Sequence, residues 1–356
     1  MTESVENITL QTLQKASYKM ALPVQIKIKQ SVLQCNELLR IVPAKRLVFS
    51  GMLFNERTNE KVIIKLFVHS TKAKKHWQRE CAGAKLLTDN NVLTPEIRAQ
   101  GISDEGIYYL IFPYIEGQNL AQFWQACSQE HSQTKREKKL KDLMPVLEKH
   151  HSAGLAHQDL HYANFLLADA VVENQQAIYT LDGEEVKAHA APLNKVTRLK
   201  NLALFLAQTF DLSQSASCSL LNDYIALTSL QLKKQQYEQF WQWIKAYQQQ
   251  RIDHYLKKMV RECTDVIYET KKQAYTLCRR EYYSSALQEL LDQPEQFFQD
   301  KNSVYLKQGN TCTVKSVLVD NQRYVVKRYN PKGLTYELKH KGQNSRAKKS
   351  WLNAHL

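Results

Sequence analysis

His157-Gln158-Asp159-Leu160-His161-Tyr162-Ala163-Asn164-Phe165-Leu166-Leu167, followed eighteen residues after Asn164 by Asp182-Gly183, sets out a carboxylate, an amide five residues later and a second carboxylate beyond an apolar run. That order is the one phosphoryl transfer uses. Asp159 is the candidate base, able to accept a hydroxyl proton. Asn164 and Asp182 are oxygen ligands suited to Mg2+, a hard cation that bridges the phosphates of ATP. Such a reaction needs little covalent help from protein, so positioning and charge neutralisation carry it. The competing reading is a surface loop whose Asp and Asn only make turns. His157 is read as a brace for the loop rather than a titrating group.

Upstream, Arg46 to Phe54, a polar turn over 55–60, and Val62-Ile63-Ile64-Lys65-Leu66-Phe67 read as strand, turn, strand. A lysine inside a β-branched run needs an anionic partner or a route to water, so Lys65 either reaches solvent from an edge strand or meets a carboxylate. Residues 71–87 read as a helix with Trp77, Cys81, Ala84 and Leu87 near one face and Glu80 mid-helix. A strand lysine followed by a mid-helix glutamate is the ion pair that positions ATP phosphates. Pro95 closes that region. Residues 107–117 read as a buried strand running into a turn, and 128–139 as a solvated loop. Leu140, Leu143, Met144 and Leu147 form a helical stripe interrupted by Pro145. The adjacent His150 and His151 diverge by about 100° on a helix and do not suggest a shared ion.

Downstream, residues 198–206 begin a helical stretch, and Tyr237, Phe240, Trp241, Ile244 and Tyr247 recur with helix period, an arrangement expected of core. The 250s to 290s read as further helices, whose Arg251, Lys257, Lys258, Arg261, Lys271, Lys272, Arg279 and Arg280 form either a solvated face or a basic one. From Ser303 strand, turn and strand return, with Lys327 inside an apolar run as Lys65 is. Ala347-Lys348-Lys349-Ser350-Trp351 then echoes Ala73-Lys74-Lys75-His76-Trp77, with Ala354 in the place of Glu80. This is read as an internal repeat that stops before any catalytic loop.

The 356 residues allow two domains or one fold of two lobes, and 43% hydrophobic content is ordinary for a globular chain. A formal net charge of +14 implies a preference for anionic partners, whether nucleic acid, acidic lipid or phosphorylated glycan. Nucleic acid is discounted, because no recognition helix, zinc-finger spacing or RNP-like motif accompanies the charge. Cys35, Cys81, Cys127, Cys218, Cys263, Cys278 and Cys312 are scattered and never spaced Cys-x-x-Cys, so they are expected to be reduced thiols. No apolar run reaches the roughly 18 residues of a spanning helix, and the first residues lack a secretory pattern. A cytoplasmic location is expected.

Taken together, Pro43-Ala44-Lys45-Arg46-Leu47-Val48, Val62 to Phe67, Lys74 to Glu80, Ala156 to Leu167 and Ile178-Tyr179-Thr180-Leu181-Asp182-Gly183 resemble the lipopolysaccharide kinase family (Kdo/WaaP type) of the protein-kinase-like superfamily. The resemblance covers roughly residues 40 to 210. It implies an α+β, bilobal protein-kinase-like fold with a small β-rich N-lobe and a mostly helical C-lobe. The expected layout is an N-terminal arm (1–30), an N-lobe and hinge (31–117), a helical C-lobe with the catalytic loop (118–298) and an incomplete second N-lobe (299–356). It further implies an ATP- and Mg2+-dependent kinase acting on a sugar hydroxyl of the lipopolysaccharide inner core, heptose or Kdo. The roles implied are Asp159 as catalytic base, Lys65 and Glu80 at the nucleotide, and Asn164 and Asp182 on metal and nucleotide. The substrate would be an anionic glycolipid, met by peripheral contact with the cytoplasmic face of the inner membrane. There are departures: no Gly-x-Gly-x-x-Gly loop, only Gly51 in the first hairpin; Gln158 in place of the usual arginine; and no Ala-Pro-Glu after Asp182. These point away from protein substrates. A non-catalytic pseudokinase binding module and a small-molecule kinase of the aminoglycoside or choline type are the alternatives.

Overall fold

The computed structural model describes residues 8–56, 59–127, 132–172, 175–271, 274–330 and 345–356. The first seven residues of the expected arm, residues 57–58 of the first turn, the start of the 128–139 loop, Lys272 and residues 331–344 of the tail lie outside the described residues. Contacts divide the chain into two compact units, Met1–Gln248 and Gln249–Leu356.

The first unit opens with α1 (Leu10–Lys15), whose Thr9 side chain accepts from the Thr12 N–H as a cap. Residues 1–30, readable as a mobile arm or as a peripheral strand and helix, supply α1 and an edge strand, β1 (Val24–Ile28), because Val24, Ile26 and Ile28 alternate inward with the period of a strand. β2 (Ser31–Val42), β3 (Arg46–Phe54), β4 (Asn59–Phe67), β5 (Ala99–Ile102) and β6 (Tyr108–Pro113) complete an antiparallel sheet of order β1-β2-β3-β4-β6-β5. One face of it holds a core that includes Leu33, Leu47, Phe49, Val62, Ile64 and Leu66. On the other, Ile63 and Phe67 pack with Ala84 and Trp77 of α2 (Ala73–Asp89).

Past β7 (Gly117–Asn119) and α3 (Leu120–Ala126), Ser132–Asp142 forms α4, where the sequence reading expected a loop. Its charged residues form helix-spaced pairs, such as Lys139 to Asp142 at 3.0 Å, that support a nearly all-polar helix. α5 (Met144–Ser152) starts afresh with Pro145 in its first turn, where a missing N–H costs nothing. Leu140, Leu143, Met144 and Leu147 are all buried, so the stripe is continuous across the break. The chain then runs through β8 (Leu155–His157), the hairpin β9 (Phe165–Val172) and β10 (Gln175–Thr180), and β11 (Val186–Ala188). α6 (Lys195–Leu206), α7 (Gln214–Ala226) and α8 (Lys234–Lys258) follow. Phe165, Phe205, Tyr224, Phe240 and Ile244 form a second core, against which Tyr237, Trp241 and Tyr247 pack half-buried.

The second unit begins at Gln249 with the last turns of α8 and continues into a hairpin, β12 (Val266–Lys271) and β13 (Ala274–Arg279), in a region expected to be helical. Val266, Ile267, Tyr268 and Thr270 are β-branched or aromatic and favour a pleated ribbon. α9 (Ser285–Asp292) and α10 (Pro294–Gln299) precede three antiparallel strands rather than two: β14 (Val304–Gln308), β15 (Cys312–Val319) and β16 (Gln322–Tyr329). The central strand escaped the sequence reading because Thr313 and Lys315 occupy inward positions beside Val317 and Val319. Lys315 donates to the Phe298 carbonyl at 2.7 Å, whereas Lys327 is exposed over the Tyr329 ring. The unit ends in α11 (Arg346–Asn353), whose Trp351 indole donates to the Met259 carbonyl at 2.7 Å. Among the described residues no helix is long and apolar enough to cross a membrane.

Candidate functional site

Lys65 lies at the heart of the sheet, in register with Val48 of β3 and Leu110 of β6, on the face turned toward α2. On that helix Glu80, Gly83, Ala84 and Leu87 are the buried residues, a stripe of helical spacing with a carboxylate in it. Expectation had placed Trp77 and Cys81 there; they are only half-buried. Glu80 is almost fully buried and forms an ion pair with Lys65. The Lys65 ammonium also lies 3.9 Å from the Asp182 carboxylate.

The Asp182 turn is built against the helix itself. A Cβ on Gly83 would fall 1.8 Å from the Gly183 carbonyl oxygen, and one on Gly183 would fall 2.5 Å from the Ala84 nitrogen. Only two glycines let these backbones touch. Asp182 takes a left-handed conformation (φ 62°, ψ 75°), sparsely populated for a non-glycine residue. Two hydrogen bonds help hold it: Leu181 N–H to the Asn164 carbonyl at 2.7 Å, and His157 Nε2–H to the Asp182 carbonyl at 3.1 Å.

His157 is itself anchored. Asn201 Nδ2 donates to the His157 carbonyl at 2.9 Å, and Asn201 Oδ1 accepts from His151 Nε2 at 3.0 Å. That leaves His151 Nδ1 to accept from the Tyr224 hydroxyl at 2.7 Å. Burial pushes the imidazoles of His150 and His151 down, to about 3 and about 4, and lowers that of His157. These rings are neutral supports.

Arg46, like Arg40, is a member of the site that motif spacing missed. Its guanidinium reaches Glu80 at 3.4 Å, Asp182 at 3.6 Å and Glu184 at 3.3 Å. Burial works to raise the Asp182 carboxyl, but Lys65 and Arg46, aided by Arg40, hold it well below the usual carboxylate range. Burial raises Glu80, opposed by Lys65 and reinforced by the Asp182 charge. Of the two neighbouring carboxylates, Asp182 is therefore the one that stays firmly ionised.

Lys65, Glu80, Asn164 and Asp182 line one cleft of about 380 Å³. Asp159 is not among its lining residues. Its carboxylate is exposed, 3.5 Å from His161 Nε2, and the hydrogen bond from His161 lowers its pKa and keeps it an acceptor. Its backbone is tied to the cleft, since Asn164 Nδ2 donates to the Asp159 carbonyl at 2.8 Å. That bond leaves the Asn164 amide oxygen free to serve as a ligand. Asp182 Oδ1 is buried and has no hydrogen-bond partner among the described residues. An unsatisfied buried carboxylate oxygen on the same cleft as an amide ligand fits Mg2+, which binds through one or two protein oxygens plus substrate phosphates. Among the described residues no cluster of three or more His, Cys, Asp and Glu side chains gathers as a cage for a tightly enclosed ion.

The element order around the cleft, a sheet strand bearing Lys65, a helix bearing Glu80, then the Asp159–Asn164 loop and the Asp182 turn, makes the fold kinase-like. No protein-family model matches the sequence. No curated protein matches it either. Among solved structures, the chain is similar to WaaP in complex with acyl carrier protein at 18% identity and a TM-score of 0.43, over 60% of this chain and 88% of that one. It is also similar to the Mycobacterium tuberculosis PknI kinase domain at 17% identity and a TM-score of 0.37, over 53% of this chain and 77% of that one.

Proposed function

We propose that the protein is an ATP- and Mg2+-dependent phosphotransferase of bilobal kinase-like build that phosphorylates a sugar hydroxyl of the lipopolysaccharide inner core, heptose or Kdo. The observation that carries this reading is the convergence of Lys65, Glu80, Asn164 and Asp182 on one cleft, with Asp159 tied to it through Asn164.

In this reading Lys65, oriented by Glu80, holds nucleotide phosphates, and Asn164 and Asp182 hold Mg2+. When bound, the ion neutralises charge on the phosphate oxygens. Asp159, kept ionised by His161, receives the acceptor hydroxyl proton. Its exposure suits a bulky acceptor approaching from solvent. The hairpin that replaces a glycine-rich loop, and Gln158 beside the base, favour a sugar over a protein acceptor. The net charge of +14 suits an anionic glycolipid and peripheral contact with the cytoplasmic face of the inner membrane. The three strands and α11 of the second unit are read as an incomplete second N-lobe with no catalytic loop of its own.

The test is transfer of radiolabelled phosphate from Mg2+-ATP to dephosphorylated core glycolipid. The wild-type chain should label it, and Asp159→Ala should lower the rate by at least about 100-fold, the scale of a lost general base. Equal labelling by the two proteins would refute the assignment.

A further inference from the structure

The hairpin that faces the cleft, β2–β3, has little backbone to offer a phosphate. Its turn is Pro43-Ala44-Lys45. Pro43 has no N–H, and the Lys45 N–H is spent on the Val42 carbonyl at 2.9 Å. Ala44 alone is left with an amide to give, where a glycine-rich loop presents several. Positive ligands must come from side chains.

The sheet register supplies one. Arg40 of β2 pairs with Val48 of β3, and Val48 pairs in turn with Lys65 of β4. Residues in one cross-strand row share a face, so Arg40 and Lys65 flank Val48 two strands apart, about 10 Å by ordinary strand spacing. A register shift between Leu38 and Arg40 sets this alignment, as bulges do when they re-aim a side chain. All three residues line the cleft.

The cations of the cleft differ in how committed they are. Lys65 is held by Glu80, and Arg46 is shared among three carboxylates with its side chain 14% exposed. The Arg40 side chain is 53% exposed, and among the described residues its one ionic neighbour is Asp182 at 3.9 Å, beyond hydrogen-bond reach. It has a planar fork of donors suited to phosphate, with no hydrogen bond to any described residue.

We propose that Arg40 binds the polyphosphate of the nucleotide, so that a side-chain fork takes over the task of an amide cradle, while Arg46 positions Asp182 and Glu80 beneath it. This rests on the phosphotransferase reading, specifically on nucleotide binding in the cleft. It locates triphosphate recognition on the first hairpin.

The test is equilibrium binding of a fluorescent ATP analogue to the full chain with Mg2+, competed by ATP and by adenosine, for wild type, Arg40→Ala and Arg40→Lys. Arg40→Ala should weaken ATP binding by about 10- to 100-fold, the range of a charge-assisted hydrogen bond, and leave adenosine within twofold. Arg40→Lys should fall between, keeping the charge and losing the fork. Melting temperatures matching wild type establish that the variants are folded. If wild type binds ATP and Arg40→Ala binds it equally, or loses adenosine to the same degree, the Arg40 assignment is overturned while nucleotide binding stands. If wild type binds no nucleotide, both fall together.

Discussion

Replacing Gly83 with alanine probes the junction on which the site depends. The added Cβ would lie 1.8 Å from the Gly183 carbonyl oxygen, where ordinary contact begins near 3.4 Å, a deficit of about 1.6 Å. Both sides of the contact are backbone, so the clash is relieved only by moving α2 or the Asp182–Gly183 turn. For stability, two terms oppose each other. Alanine in a helix interior gains about 1 kcal/mol over glycine, and overpacking costs about 1–3 kcal/mol. The net loss should not exceed about 2 kcal/mol, a fall of roughly 4–8 °C in melting temperature for a unit of this size. Function should suffer more. Glu80 sits one turn before Gly83 and moves with the helix, and a misplacement near 1 Å is enough to cost about 100-fold in rate. The assay pairs a thermal melt with phosphate transfer from Mg2+-ATP. The expected result is a modestly destabilised protein with a rate reduced about 100-fold. A Gly83→Ala protein with wild-type turnover would refute the claim that this backbone contact positions Glu80 against Lys65 and Asp182.

Two further outcomes follow from the supports beneath the site. Asn201→Ala should lower stability by about 2–5 kcal/mol in urea unfolding, since it strands the buried His157 carbonyl and the His151 Nε2–H together; a change below about 0.5 kcal/mol, the scale of surface substitutions, would sink the bracing role. Stability should also fall with acid. His150, His151 and His157 have pKa values depressed by folding, so their contribution is present above about pH 6.5, where the unfolded rings titrate, and is lost as pH falls, through about 4 for His151 and about 3 for His150. Glu80, raised by burial, acts in the opposite sense and offsets about one proton. Two net protons give a slope of at most about 2.7 kcal/mol per pH unit, and a flat urea profile between pH 6.5 and 5 would contradict it.

What the sequence reveals and what it hides divide along physical lines. Lys65 stands out because it interrupts an apolar run, Glu80 because Lys65 precedes it and Asp159 follows it, and Asn164 and Asp182 by their spacing from Asp159, and the structure has all four on one cleft. Arg40 and Arg46 do not stand out, since their relation to Lys65 passes through strand register and one bulge, which composition does not encode. The Gly83–Gly183 contact joins residues a hundred apart and has no local signature. Glu80 also misled the reading of its own helix. A charge is normally counted as exposed, so the inward stripe was drawn through Trp77 and Cys81 rather than through Glu80 and Gly83. The same bias hid β15, where Lys315 faces inward, and α4, whose polar residues concealed a helix held by its own side-chain pairs.

The charges of the cleft give a reason for the metal that does not depend on resemblance. Arg40, Arg46 and Lys65 face Glu80 and Asp182 in the cleft, and Arg46 is drawn partly away to Glu184, which His76 and Arg79 also hold. Two carboxylates as close as Glu80 and Asp182 remain compatible only because the cations lie between and around them. A polyphosphate entering here adds negative charge beside Asp182, which the surrounding cations hold ionised, so it cannot relieve the repulsion by taking a proton. Arg40 can turn from Asp182 toward the phosphates, but that withdraws one of the charges stabilising Asp182. A divalent cation on Asn164 and Asp182 restores what Arg40 gives up. Nucleotide affinity should therefore require Mg2+ and Arg40 jointly, and the loss on removing either should be smaller once the other is gone.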